Sequence, residues 1–352
     1  MRSAMPSNFT SLPIVDVSGL YSPDWKARQA VADAMGAASR DSGFLYIVGH
    51  PIKPETRERL LATTKAFFAR STDEKMKAYI GLSKSHSGYV PPGEEVFYGQ
   101  KPDRKEAFDV SLDVPEDDPD VLSGKTPMLG PVQWPDDAEF KAAVSAYYAD
   151  VASLARTLFR GFALALELPE TYFESFLKKP PSQLRLIHYP FAADAPADEP
   201  GIGAHTDYEC FTILWPTAPG LEVMNGAGEW IDAPPIDNGF IINIGDMLEA
   251  WTNGTFVATS HRVRKVKEER YSFPYFAACD YHTVVKPLPQ FVPAGTKPKF
   301  EPLVAGDHLL AQTAQTFQYL KTRIANGTFT LPEGARKLSS FGQEAIHASG
   351  TQ

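Results

Sequence analysis

The second half of the chain is a series of short apolar segments, each ended by glycine, proline or asparagine. Such segments are shorter than typical globular helices and indicate β-strands. We expect strands at 183–190, 208–215, 220–224, 228–232, 239–244, 260–266 and 270–279. Many short strands at this spacing predict a sandwich or a jelly roll.

The first half of the chain has apolar residues at three- and four-residue steps, which predicts amphipathic helices. The longest such pattern begins at Trp134 and reaches about Glu167. Shorter helices are expected between Ser22 and Gly43, from Pro54 onward, over 72–82 and, near the C-terminus, over 306–325, with strands at 12–17 and 43–49. Residues 83–135 are rich in turn-forming residues and are expected to be irregular.

These elements predict a mainly β fold with helical support. Its core would be a double-stranded β-helix (jelly roll) flanked by N-terminal helices and a C-terminal helix. We expect a supporting region at 1–180, the jelly-roll core at 181–300, and a C-terminal helix with a polar tail at 301–352. The supporting region would belong to the same folding unit as the core.

Composition narrows the class of protein. The 352 residues carry 43 acidic and 34 basic side chains, a formal net charge of −9, which argues against nucleic-acid binding through a basic face. Cys210 and Cys279 have no metal or redox spacing and are expected to be buried thiols. No stretch approaches the roughly 18 apolar residues of a membrane span, and residues 1–6 lack a signal-peptide pattern. We expect a cytoplasmic protein, monomeric by default.

Two short motifs carry the candidate chemistry. His205-Thr206-Asp207 and Ser260-His261-Arg262-Val263 together supply two imidazoles and one carboxylate, the ligand set of a non-haem ferrous site with open coordination positions. If His205 and Asp207 lie on one strand, their side chains share a face and can converge on one ion. His261 would have to reach the ion from a different strand.

A third motif, Arg270-Tyr271-Ser272, follows His261 by nine residues. On a strand, Arg270 and Ser272 share a face. The planar guanidinium fork can bind a carboxylate through two parallel hydrogen bonds. A ferrous ion beside a clamped 2-oxo acid is the arrangement that oxygen activation of this kind requires.

The order and spacing of these motifs resemble the iron(II)/2-oxoglutarate-dependent oxygenases of the isopenicillin N synthase-like family. Further segments are similar to that family, namely Leu12-Pro-Ile-Val-Asp16, Gly43-Phe-Leu-Tyr-Ile-Val-Gly-His50, Gly201-Ile-Gly-Ala-His-Thr-Asp-Tyr208 and Asn243-Ile-Gly-Asp-Met-Leu-Glu-Ala-Trp-Thr-Asn-Gly254. The likeness covers most of residues 10–325. It implies an enzyme that uses Fe(II), 2-oxoglutarate and O2 to oxidise, and most simply to hydroxylate, a small metabolite.

The resemblance also implies roles for individual residues. His205, Asp207 and His261 would bind the iron, and Arg270 and Ser272 would bind the distal carboxylate of 2-oxoglutarate. Tyr189 matches a family tyrosine near that carboxylate, although Ile187 stands where relatives often carry asparagine.

One part of the chain is similar to a particular branch of the family. The segment Ser87-Gly-Tyr-Val-Pro-Pro-Gly-Glu-Glu95, together with Gly201 to Tyr208, resembles the bacterial ethylene-forming branch. That branch usually lacks the serine found here at 272, which favours an ordinary hydroxylating relative.

Four further residues are candidates for the substrate side of the site. Arg185 could pair with a substrate acid or with a core carboxylate, and Tyr208 could line the pocket or pack in the core. Glu95 could bind a cationic substrate or be a solvated loop acid, and Phe276 could be core or pocket wall.

Two other functions remain open from the residues alone. A ring-forming or desaturating oxidase could use the same three ligands without a 2-oxo acid, with Arg270 and Ser272 holding a substrate carboxylate. A jelly roll that binds a metal or ligand without turnover is the non-enzymatic alternative.

Overall fold

The computed structural model describes residues 5–96, 105–191, 201–264 and 268–332. The strands are β1 (Ile14–Asp16), β2 (Phe44–Val48), β3 (Gly88–Val90), β4 (Glu106–Val110), β5 (Gln183–Tyr189), β6 (Ile202–His205), β7 (Phe211–Pro216), β8 (Leu221–Met224), β9 (Trp230–Asp232), β10 (Phe240–Ile244), β11 (His261–Val263), β12 (Arg270–Ala277), β13 (Val284–Val285) and β14 (Leu303–Val304). The α-helices are α1 (Trp25–Asp41), α2 (Pro54–Phe68), α3 (Thr72–Met76), α4 (Pro119–Leu122), α5 (Ala138–Ala165), α6 (Asp246–Trp251), α7 (Ala305–Thr316) and α8 (Gln318–Ala325).

Two sheets form the centre of the fold, which is a jelly roll with helical support, as the sequence predicts. The larger sheet has eight strands in the order β1-β2-β10-β7-β12-β5-β4-β3. The smaller sheet has four strands in the order β6-β11-β8-β9. Neighbours in each sheet are mostly far apart in sequence, so non-local pairing brings distant motifs together.

The long helix α5 supports the larger sheet. Asp137 caps its N-terminus by accepting a hydrogen bond from the backbone N–H of Phe140 at 2.9 Å. Its apolar side packs on the sheet, with the ring of Phe162 centred 5.0 Å from that of Phe211 on β7. Helices α1 and α2 pack against α5. The predicted helix over 134–167 is therefore confirmed, with a later start.

The region 83–135, expected to be irregular, supplies two strands of the larger sheet. In β4 all five residues are buried, including Glu106 and Asp109. Lys75 Nζ lies 2.6 Å from Glu106 Oε2, and Arg185 Nε lies 2.7 Å from Asp109 Oδ1. The expectation was wrong because a strand is normally recognised in the sequence by alternating apolar residues. In β4, acidic residues are buried instead, and ion pairs with Lys75 and Arg185 make this possible.

The predicted C-terminal helix over 306–325 is two helices. The break falls at Phe317, which has an extended backbone (φ −87°, ψ 128°) between α7 and α8. Glu94 binds the new helix start: its side chain accepts from Tyr319 N at 2.8 Å, and its carbonyl accepts from Gln318 N at 2.9 Å. A carboxylate from a distant loop thus satisfies N–H groups that a helix start leaves without partners.

Two predicted strands are shorter than expected. The segment 208–215 becomes strand only at Phe211, and 260–266 is strand only over β11, with 265–267 outside the described residues. None of the helices in the described part of the chain has both the length and the apolar character that crossing a bilayer requires.

Candidate active site

The two histidines face each other across a pair of antiparallel strands. His205 is the last residue of β6 and His261 the first residue of β11, and the two are Cα partners in the register of the smaller sheet. Asp207 lies two residues beyond the end of β6. His205 and Asp207 therefore do not share one strand; the chain leaves β6 after His205 and still brings the carboxylate to the same point.

The three side chains are close enough to bind one ion. Asp207 Oδ1 lies 3.6 Å from His205 Nε2 and 3.5 Å from His261 Nε2. One ligand atom from each residue lies within 4.8 Å of the other two. Two imidazoles and a carboxylate in this geometry are suited to Fe(II) with open positions.

Backbone carbonyls fix the orientation of both imidazoles. Nδ1 of His205 lies 2.8 Å from the carbonyl oxygen of Gly203, and Nδ1 of His261 lies 3.1 Å from that of Thr259. A carbonyl can only accept, so Nδ1 donates in each ring. When the imidazole is neutral, Nε2 is then left as the metal-binding atom.

Neighbouring polar groups hold Asp207 ionised. Its Oδ2 accepts hydrogen bonds from Asn243 Nδ2 at 2.7 Å and from the Thr212 hydroxyl. Burial raises the pKa of Asp207, but His261 and the other polar neighbours outweigh burial and lower it well below its usual value. The oxygen that faces the histidines, Oδ1, is therefore available as an anionic ligand.

The two imidazoles differ in their electrostatics. Burial, with a smaller contribution from His261, lowers the pKa of His205 to about 4. Burial also lowers the pKa of His261, but the Asp207 carboxylate outweighs burial and raises it above its usual value. A metal ion must therefore compete with a proton at His261 more than at His205.

Arg270 lies at one end of the same cavity and is 1% exposed. Its Nε donates to the carbonyl of Ala218 at 3.1 Å, and its guanidinium lies 4.8 Å from the centre of the Tyr189 ring. Nη1 and Nη2 are buried and have no hydrogen-bond partner in the part of the chain that is described. A buried cation with two unpaired donors is costly unless an anion binds it, and a carboxylate matches the fork.

The strand register explains why the predicted residues meet. In the pairing of β12 with β5, Arg270 is opposite Tyr189 and Ser272 is opposite Ile187. Ser272 is buried and lines the same cavity. The residue types at this end fit a dicarboxylic 2-oxo acid, with one carboxylate at Arg270 and the other end directed to the metal ligands.

The cavity continues beyond the metal ligands, where Arg185, Glu95, Tyr208 and Phe276 contribute to its wall. Arg185 forms ion pairs with buried carboxylates, which was one of the two roles predicted for it. Its Nη1 lies 2.9 Å from Glu95 Oε2, in addition to its contact with Asp109. Its guanidinium still lines the cavity.

Glu95 is 6% exposed, so the interpretation as a solvated loop acid was wrong. Lys105 Nζ approaches its Oε2 at 3.1 Å. Burial raises the pKa of Glu95, but Arg185 and Lys105 outweigh burial and lower it. Tyr208 is partly buried, with its ring 6.3 Å from that of His308, and Phe276 is a wall residue on β12.

Sequence reasoning missed three residues of the site. Asn243 and Thr212 donate hydrogen bonds to the second oxygen of Asp207. Asn243 is the first residue of one of the segments that resemble the family, whereas no feature of the sequence indicated a role for Thr212. Glu209 also lines the cavity, two residues after Asp207. Burial and the nearby Asp207 raise the pKa of Glu209 to about 8.

Comparison with known proteins agrees with this geometry. The N-terminal model of the non-haem dioxygenases in morphine synthesis matches residues 12–137, and the model of the 2OG-Fe(II) oxygenase superfamily matches residues 180–278. The chain belongs to the 2OG-Fe(II) oxygenase superfamily.

Three relatives illustrate the likeness. The 2-oxoglutarate-Fe(II) type oxidoreductase hxnY of Emericella nidulans is 31% identical, over 88% of this chain and 91% of the relative. The homoarginine-6-hydroxylase 2-ODD-C23.1 of Arabidopsis thaliana is 34% identical, over 89% of this chain and 99% of the relative. The crystal structure of a full-length Neurospora crassa protein in complex with alpha-KG superposes with a TM-score of 0.77 at 26% identity, covering 90% of this chain and 99% of that one.

The protein is thus a 2-oxoglutarate-dependent dioxygenase. It requires Fe(II), 2-oxoglutarate and O2, and it couples oxidative decarboxylation of 2-oxoglutarate, to succinate and CO2, to oxidation of a small molecule. These findings favour 2-oxoglutarate dependence over the alternative in which the same three ligands work without a 2-oxo acid.

Proposed function

We propose that His205, Asp207 and His261 hold the ferrous ion and that the enzyme hydroxylates a small polar metabolite. In this proposal Arg270, Ser272 and Tyr189 bind the distal carboxylate of 2-oxoglutarate. The observation that carries it is the buried Arg270 guanidinium, whose terminal nitrogens lack a hydrogen-bond partner among the residues described. Several curated relatives that carry hydroxylase in their names support hydroxylation as the outcome.

The bound iron and 2-oxo acid would supply the oxidising power that activates O2. The chain's residues would position the reactants and exclude water. Arg270 fixes the far end of the cosubstrate, while the carbonyls of Gly203 and Thr259 hold the imidazoles in the orientation that presents Nε2. The apolar wall, which includes Ile202, keeps bulk water from the reacting atoms.

Ring closure, desaturation and ethylene formation would use the same ligands. The likeness of 87–95 to the bacterial ethylene-forming branch favours the last of these, whereas Ser272 favours hydroxylation. The proposal also includes a cytoplasmic, monomeric enzyme with no nucleic-acid partner; the acidic net charge of −9 supports the last of these. The ratio of succinate to ethylene formed during turnover distinguishes ethylene formation from the other reactions, and the mass of the oxidised product distinguishes hydroxylation, which adds an oxygen atom, from ring closure and desaturation, which remove two hydrogens.

Arg270→Leu tests the cosubstrate assignment. Losing a charge-assisted hydrogen-bonded clamp of about 1.5–3 kcal/mol should raise the KM for 2-oxoglutarate by about 10- to 150-fold. Arg59→Leu is the matched control, because Arg59 forms an exposed ion pair with Glu139 outside the cavity. An unchanged KM in Arg270→Leu would refute the clamp.

Asp207→Ala tests the metal assignment. It should abolish Fe(II) binding in an anaerobic titration while the circular dichroism spectrum stays that of the wild type. Asp232→Ala, on the far strand β9 of the smaller sheet, should bind Fe(II) normally. Full Fe(II) affinity in Asp207→Ala would refute the ligand set.

A further inference from the structure

Two neutral side chains, His86 and Gln183, line the active-site cavity without a role in binding the metal or 2-oxoglutarate. His86 is 7% exposed, and its backbone is in the left-handed region with φ 55°. The loop that carries it is held by the Ser83 hydroxyl, which accepts from the backbone N–H of Ser85 at 3.0 Å and of Ser87 at 3.2 Å. A fixed loop therefore presents the imidazole to the cavity.

The phenol of Tyr319 determines which nitrogen of the His86 ring carries the proton. Nδ1 of His86 is hydrogen-bonded to the Tyr319 hydroxyl, which has no other partner among the residues described. Tyr319 is buried, so a phenolic proton that did not point at Nδ1 would have no acceptor, which is costly. The hydroxyl therefore donates and Nδ1 accepts, which leaves the proton of a neutral imidazole on Nε2.

The surroundings keep both rings in this protonation state. Burial, together with the nearby Arg185 guanidinium, lowers the pKa of His86 to about 3, so the imidazole is neutral at physiological pH. Burial raises the pKa of Tyr319, so the phenol keeps its proton. The Tyr319 backbone is held in turn by the Glu94 carboxylate, which accepts from its N–H at 2.8 Å.

The Nε2–H group of His86 is a donor without an acceptor. No residue in the described ranges accepts a hydrogen bond from it. The ring packs edge-on against Phe317, with centroids 4.6 Å apart, and both residues belong to the cavity wall. An acceptor oxygen on a bound ligand would satisfy this donor.

Gln183 places an acceptor beside this donor. Its Nε2 donates to the backbone carbonyl of His86 at 3.1 Å. Because a carbonyl can only accept, this bond fixes the orientation of the amide and leaves Oε1 for a ligand. In the register of β5 with β12, Gln183 is opposite Phe276, so an aromatic side chain stands next to this acceptor.

The charged residues of this wall do not require a charged ligand. Arg185 is paired with Asp109 and Glu95, and Lys105 is paired with Glu95. The groups still open at His86 and Gln183 are one donor and one acceptor. An amide offers the complementary pair, since its carbonyl accepts and its N–H donates, and its planar face suits aromatic walls.

We propose that His86 and Gln183 bind an amide or lactam group of the primary substrate. Nε2–H of His86 donates to its carbonyl oxygen, and Oε1 of Gln183 accepts from its N–H. The substrate class is then a small planar molecule with a secondary amide edge. This inference rests on the proposed function of the site, since it assigns the substrate end of the same cavity. Analogues without the edge would leave a buried partner unpaired and be rejected.

A matched pair of probes tests the proposal without turnover. Wild-type protein, loaded with Fe(II) and 2-oxoglutarate under anaerobic conditions, is titrated with 2-pyridone and with N-methyl-2-pyridone, and binding is followed by ligand NMR. Both probes carry the carbonyl, but only 2-pyridone carries the N–H. We expect 2-pyridone to bind about tenfold more tightly.

Two variants should change this pattern in different ways. Gln183→Met removes the acceptor at similar size, so the two probes should bind alike. His86→Phe removes the donor to the carbonyl that both probes share, so both should bind about tenfold more weakly and keep their ratio. His282→Phe, at an exposed position outside the cavity, should behave as the wild type. A merely structural role for either residue would not produce this crossed pattern.

The tautomer gives a measurement that needs no variant. Nitrogen NMR of the ¹⁵N-histidine-labelled wild type should show the His86 proton on Nε2. The proposal would be overturned by a proton on Nδ1, by equal binding or no binding of the two probes to the wild type, or by a preference for 2-pyridone that persists in Gln183→Met. It would also be overturned by unchanged binding in His86→Phe.

Failure of the proposed function is separable from these results. It would appear as no succinate formed from 2-oxoglutarate by the Fe(II)-loaded wild type in air with any member of a broad panel of small metabolites. The probe titrations and the tautomer are measured without turnover and do not depend on that outcome.

Discussion

The two ends of the cavity are built differently. The end with Arg270 is made by strands, and hydrogen-bonded register fixes the distance between its residues. The end with Glu95 and Phe317 is made by a loop, the junction of α7 with α8 and a buried ion-pair cluster. The residues suited to a metal and a 2-oxo acid thus lie on or beside the strands, whereas the other end of the cavity depends on side chains from distant segments.

The two ends also differ in what holds them together. At the strand end, Arg270, His205 and His261 each donate a hydrogen bond to a backbone carbonyl. At the other end, the contacts are between charged side chains, such as Arg185 with Asp109, and between Glu94 and the start of α8. Substitutions at the second end should therefore change stability or helix position before they change iron or 2-oxoglutarate binding.

Glu95→Gln should have the largest effect on stability. Removing one partner of a buried ion pair leaves Arg185 and Lys105 undercompensated, and the free energy of unfolding should fall by about 3–5 kcal/mol. Chemical denaturation measures the loss. The exposed pair of Arg59 with Glu139 is the control, where Glu139→Gln should leave the free energy of unfolding close to that of the wild type.

The pH dependence of that loss sharpens the prediction. The folded-state pKa of Glu95 lies below its usual value, so its stabilisation is fully present above the unfolded pKa and is lost as the pH falls through the folded pKa. The difference between wild type and Glu95→Gln should therefore be greatest at neutral pH and shrink in acid. A difference that grows in acid would contradict an ionised, paired Glu95.

Asn243→Leu should have an intermediate effect, confined to the strand end. Losing the donor to Asp207 Oδ2 should weaken Fe(II) binding by about 10- to 100-fold, as expected for a group that orients a metal ligand. An anaerobic Fe(II) titration measures the change. Asn225→Ala, which alters a turn after β8, should leave the affinity unchanged; equal losses in both variants would indicate a general folding defect.

Glu94→Ala should have the smallest effect, confined to the other end. Losing the side chain that accepts from Tyr319 N should destabilise the start of α8 by about 1 kcal/mol. Hydrogen exchange should speed up at the first amides of α8 and not in the strands. Glu94→Gln retains an acceptor oxygen and should stay close to the wild type, so equal acceleration in both variants would argue against the cap.

The strand end was predictable because its signals are local. His205 with Asp207, and Arg270 with Ser272, stand two residues apart, and a resemblance in the order of motifs linked them. The sequence did not indicate where the strands at this end begin and end; β6, for example, ends at His205. The strand pairing that joins Arg270 to Tyr189 spans 81 positions in the sequence numbering, and only the fold reveals it.

Arg185, Glu95, Tyr208 and Phe276 were predicted for the other end and line it, but the partners in its buried ion pairs were not predictable, for a physical reason. Burial is normally predicted from apolar residues, but this end of the cavity contains four buried charged residues, Glu95, Asp109, Lys105 and Arg185. Their burial is possible only because their charges neutralise one another. The residues that pair are up to 90 positions apart in the sequence. The break at Phe317 was missed likewise, because the residue that stabilises it, Glu94, lies in a remote loop.

The two donors on Asp207 Oδ2 set the denticity of this ligand. With one oxygen bound by Asn243 and Thr212, the carboxylate can offer a metal a single oxygen rather than chelate it through both. His205, Asp207 and His261 would then offer a bound ion one ligand atom each, and the ion would keep the open positions that non-haem ferrous sites require.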